Sequence, residues 1–165
     1  MPSAPKLEPW YACMRRMLIS ARPADLGMQP TVRLPRVWAA LMELRLEHGY
    51  VTVASLADGT TSLYMSSGGG ILGGGDHQAV QVATFSFLGA VEAGLDKLGP
   101  VAEPPLPAPG TIRLHALTYW SPGTLEAPEA EVMEGRHPLA WMFDAGNDVV
   151  TQLRLLQQHG EPSSS

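Results

Sequence analysis

The chain has 165 residues, 45% hydrophobic and 16% charged, which is enough apolar mass for one domain with a core and excludes a disordered chain. A single cysteine, Cys13, rules out an internal disulfide and a cysteine-based zinc site, and points to a reducing, cytoplasmic compartment. No apolar run approaches the ~18 residues of a membrane span, no signal-peptide core opens the chain, and the 17 Gly and 15 Pro follow no period, so membrane and collagen-like readings fail.

The net charge of −5 is unevenly divided. Residues 1–49 carry seven basic against four acidic residues, +3, and the remainder carries −8. A basic segment on an acidic body suits docking onto that body, onto a second copy or onto an anionic partner. The arginines are spread from Arg15 to Arg45, more thinly than nucleic-acid binding asks, and solvated helix faces are the simpler reading.

Leu7, Trp10, Met14, Met17 and Leu18 recur at helical spacing, so residues 6–21 read as an amphipathic helix that Pro23 ends. Residues 22–34 are a Pro-rich connector. A second helix is expected from Pro35, with Val37, Trp38, Leu41, Met42 and Leu44 inward and Gly49 as its left-handed cap. The period then changes. Residues 50–56 and 61–66 read as strands joined through a two-residue turn at Asp58-Gly59. In that register Ala54, Leu56, Leu63 and Met65 share one face, and Val51, Val53 and Tyr64 the other. Neither face is polar, so both sides of the ribbon must be covered, by helices or by a partner.

A Gly-rich stretch, residues 67–75, leads to Asp76, a good N-cap for a helix running to about residue 98 on the stripe Val80, Ala83, Phe87, Val91 and Leu95, broadened by Phe85 and Leu88. Gly99-Pro100 stops it, and residues 101–110, with four prolines, read as an extended connector outside the core. Residues 111–120 form a third strand, with Ile112, Leu114 and Ala116 opposite Arg113, His115, Leu117 and Tyr119. Residues 125–134 read as a short helix, with an acidic edge strand as the alternative. A last helix begins at Pro138 and runs to about residue 159 on Met142, Val149, Val150, Leu153 and Leu156, and residues 161–165 are a frayed tail. The organisation is an N-terminal helix and connector over 1–34, one α+β domain over 35–160 and the tail. Its fold is a central antiparallel sheet of three to five strands sandwiched between helices.

The Gly-rich stretch is the one unusual feature. Ser67, Gly68, Gly69, Gly70, Gly73, Gly74, Gly75, Asp76 and His77 lie between a strand and a helix, where backbone N–H groups and the positive helix end can meet a small anion. Gly68, Gly70 and Gly73 match the letter of the dinucleotide fingerprint, but the hairpin before them is antiparallel and the acidic cap repels an anion. The competing reading is a crossover that bends sharply or passes close to another backbone. No G-x-S-x-G elbow supports a serine nucleophile, and His48, His77, His115, His137 and His159 lack metal-ligand spacing, so no catalytic residue, metal or cofactor is assigned. The acidic group Glu126, Glu129, Glu131 and Glu134 is a solvated face, or a docking surface for the N-terminal arginines.

The order of elements over residues 35–158 resembles the roadblock/longin group of small α/β (profilin-like) domains. That resemblance implies a central antiparallel sheet with helices on both faces, in proteins that dimerise or serve as platforms for small GTPases and motor complexes. The strings Ser62-Leu63-Tyr64, Gly68 to Gly75 and His137-Pro138-Leu139 also look like uncharacterised bacterial proteins, a resemblance that carries no activity. The function expected is a non-enzymatic interaction module, self-associating or bound to a protein partner. The alternative is a binder of a small molecule or anion, or an enzyme, using the Gly-rich loop.

Overall fold

Residues 37–43 are buried without a break and form most of a strand, β1 (Val37–Leu46), in the middle of the sheet. The computed structural model describes residues 5–72 and 76–160. Ahead of β1 lies α1 (Pro9–Ser20), followed by a 3-10 turn at Pro23–Leu26. After β1 come β2 (Gly49–Leu56), β3 (Thr61–Met65), β4 (Gly70–Leu72) and α2 (Gln78–Ala93), then β5 (Gly99–Pro100), β6 (Thr111–Thr118), β7 (Gly123–Pro128), α3 (Glu129–Met133) and α4 (Ala140–Gly160).

The class remains α+β, but the sheet has seven antiparallel strands among the described residues, in the order β4-β3-β2-β1-β6-β7-β5, where three to five were expected. The largest correction is at β1, read from sequence as a helix. Both its neighbours and both its faces are occupied, so the alternation that marks a half-exposed strand is absent. Its Leu, Met and Ala residues also favour helices. The remaining extra strands come from the Gly-rich stretch (β4), the Gly99-Pro100 stop (β5) and the first half of the ambiguous acidic segment (β7), whose second half is the short helix α3.

The β2–β3 hairpin was located correctly, but its loop has three residues. Gly59 N–H donates to the Leu56 carbonyl and Leu56 N–H to the Thr60 carbonyl, with Gly59 at φ +93°. Val53 therefore faces Leu63, and Thr52 faces Tyr64. One residue more in the loop moves β3 by one position and exchanges its faces. Leu63 and Met65 join Val51 and Val53, while Tyr64 joins Ala54 and Leu56. The expectation that both sides are covered holds nonetheless.

On one face, α2 and α4 close the main core, in which Val53, Phe87, Leu88, Ile112, Leu114, Phe143 and Leu153 are buried. Each such side chain removed from water contributes about 1.5–3 kcal/mol before ordering costs. On the other face, α1 covers a smaller cluster of Tyr11, Trp38, Leu41, Tyr50, Tyr64 and Leu117. The proline-rich segment expected outside the core belongs to this second layer: Pro104 is buried and Leu106 packs on the cluster. The helix α2 starts after His77, the N-cap in place of Asp76. It stops at Ala93, and a 3-10 turn at Leu95–Lys97 follows.

Candidate functional site

The Gly-rich stretch divides between two places. Ser67 and Gly68 sit in a second three-residue hairpin loop, where Gly68 N–H donates to the Met65 carbonyl and Met65 N–H to the Gly69 carbonyl, with Gly68 at φ +104°. Gly70 is the first residue of β4, opposite Tyr64. Asp76 and His77 are exposed just ahead of α2. Gly73, Gly74 and Gly75 lie outside the described residues. The Gly68 N–H is thus taken up by the turn and is not presented to a ligand.

Sequence reasoning missed a row of polar side chains under α1. Glu43 on β1 is fully buried, and Thr52 Oγ1 donates to its Oε2 at 2.6 Å. Arg15 of α1 donates from Nε and Nη2 to the two carboxylate oxygens, each at 2.7 Å, and from Nη2 to the Pro104 carbonyl at 2.8 Å. Buried His115 on β6 places Nε2 at 2.8 Å from Glu43 Oε1 and Nδ1 at 3.0 Å from Thr124 Oγ1 on β7. Tyr11 Oη lies 2.6 Å from Thr52 Oγ1. Four adjacent strands and one helix each supply a member, so no sequence spacing reveals the set. The available signal was Glu43 itself, a charge inside the apolar run 37–44.

Burial alone pushes the Glu43 carboxyl up, but the hydrogen bonds from Arg15 and His115 outweigh it and hold its pKa down to about 2. Burial, reinforced by the Glu43 charge, raises the Tyr11 phenol far above the usual tyrosine range. Thr124, His115 and Glu43 follow one another like a nucleophile–base–acid relay. However, the adjoining cavity of about 260 Å³, between α1 and residues 103–106, is lined by Tyr11 and Arg15 and not by these three. The row therefore clamps α1 to the sheet. Among the described residues no three His, Cys, Asp or Glu side chains converge to hold a metal.

Two of the N-terminal arginines find acidic partners away from the acidic group. Arg15 meets Glu43, and Arg36 meets Glu92 at 2.9 Å and Asp96 at 3.4 Å. Within the acidic group Glu126 pairs with Arg113 and Glu134 with Arg136.

The outward face of α2 is the exposed surface that departs most from an ordinary solvated helix. Val82 and Phe85 are 61% and 45% exposed, among Gln78, Gln81 and Ser86. The helix's one ionisable residue, Glu92, turns inward and accepts hydrogen bonds from Arg36 and from the Val37 backbone. Beside this face opens a cavity of about 480 Å³, walled by Val32, Leu34, Ala57, Phe85 and Gly89. No protein-family model, curated protein or solved structure matches this chain.

Proposed function

We propose that the chain is a non-enzymatic protein-interaction module whose contact surface is the outward face of α2 with the cavity beside it. The observation that carries this reading is a helix of 16 residues with no charge on its exposed side and two large apolar side chains there. A solvated helix ordinarily carries charged residues on that side, and an apolar patch beside a cavity marks a contact site. The polar row under α1 supports the same reading, since its carboxylate and imidazole are fully buried and serve internal bonding.

The test is a photoreactive phenylalanine analogue at position 85, irradiated in the cells that make the protein, with the same group at exposed Gln158 on α4 as control. A discrete protein adduct from position 85, absent from 158, is the expected result. A folded protein that gives no adduct from position 85, or the same adducts from both positions, overturns the reading.

A further inference from the structure

We infer that the partner received by this face is a second copy of the chain, packed about a two-fold axis with the two α2 helices antiparallel, so that Phe85 of each lies over Gly89 of the other. This inference rests on reading the chain as an interaction module and adds the partner and the geometry.

Three features of the surface carry it. The first is Gly89. It sits mid-helix without positive φ, and a Cβ built on it meets nothing within 4 Å. Glycine is a poor helix former, and nothing inside this chain requires it there. Its missing side chain leaves a hollow on the outward face, continuous with the 480 Å³ cavity whose wall it shares. The second is Phe85, one turn earlier on the same face and half-exposed, which forms the neighbouring bump. A bump and a hollow four residues apart, about 6 Å along the axis, satisfy each other twice when two such helices run antiparallel. This is the self-complementarity that a two-fold contact demands. A space of about 150 Å³ already admits a benzene-sized ring, so the cavity can take the partner's Phe85.

The third feature is charge. A face bearing one sign repels its own copy across a two-fold axis, whereas the outward face of α2 has none. The surroundings supply both signs, with Arg33 at the cavity wall and exposed Asp58 next to Ala57 of the same wall. Each can meet its opposite on the second copy. A stable dimer buries about 1,200 Å² or more in total, so the contact must reach past α2, and fully exposed Val32 at the cavity rim extends the apolar surface in that direction.

The experiment is sedimentation velocity over a concentration series on the wild type, Phe85→Glu and Gly89→Leu, with circular dichroism to confirm folding. The wild type is expected as a dimer at micromolar concentration, and each variant as a folded species whose dimer is at least about tenfold weaker. Gly89→Leu is the decisive variant, because its side chain enters open space in the monomer and obstructs only the paired state. Should Phe85→Glu fail to fold, Gly89→Leu carries the test alone. A wild type that stays monomeric at high micromolar concentration overturns the two-fold assembly. So does a dimer indifferent to Gly89→Leu. In either case a different protein crosslinked from position 85 leaves the interaction reading standing, whereas absence of any adduct removes that reading too.

Discussion

Arg15 on α1 and Glu43 on β1, 28 positions apart in the chain, meet through two hydrogen bonds of 2.7 Å, with the carboxylate fully buried and the guanidinium partly buried. The fork-to-fork geometry fixes both the position and the rotation of the helix over the sheet. Removing the guanidinium leaves a charge in the interior without its cation. Arg15→Ala is expected to cost about 3 kcal/mol, and adding Glu43→Gln to it should recover part of that loss. Urea midpoints of the two variants and the wild type check this. An Arg15→Ala protein as stable as the wild type would mean that α1 is held by its apolar contacts alone.

The same carboxylate sets an acid limit on stability. Its folded pKa of about 2 lies below the ordinary value of 4.5, so the unfolded chain takes up the proton first. The stabilisation is complete above pH 4.5 and disappears as the pH falls toward 2, amounting to about 3 kcal/mol by linkage. Unfolding free energy measured across this interval should decline less steeply in Glu43→Gln than in the wild type. Parallel acid limbs would show that Glu43 is not the group responsible.

At Gly70 a side chain has no room. A Cβ there would land on the Leu63 carbonyl oxygen of the neighbouring strand, so Gly70→Ala must open the β3–β4 pair. A loss of about 1–3 kcal/mol is expected, with faster amide exchange confined to β3 and β4. A wild-type melting temperature for this variant would contradict the close approach of the two backbones.

Much of the fold was legible. The 3.6-residue stripes located α1, α2 and α4, and Asp58-Gly59 located the central hairpin. What failed did so for identifiable reasons. Val37, Trp38, Leu41, Met42 and Leu44 mimic a helical stripe because a strand buried on both faces admits apolar residues at every position, and periodicity then carries no information. The Asp-Gly signal gives the place of a turn but not its length, and one residue of length exchanged the faces of β3. The polar row was invisible for a topological reason. Tyr11, Arg15, Glu43, Thr52, His115 and Thr124 become neighbours only once β1 lies between β2 and β6. Similarly, the outward face of α2 was hidden because the apolar stripe takes Phe85 inward with Leu88, whereas Leu88 is buried and Phe85 is half-exposed.

The two outermost strands have a consequence for how copies of this chain can meet. β4 has three residues and β5 two, the second of which, Pro100, has no amide hydrogen to offer. Open strand borders are where sheets of separate molecules fuse and fibrils grow. Such stubs give a newcomer almost nothing to zip onto, so unlimited edge-to-edge stacking is discouraged, which is compatible with the closed α2 pair proposed above.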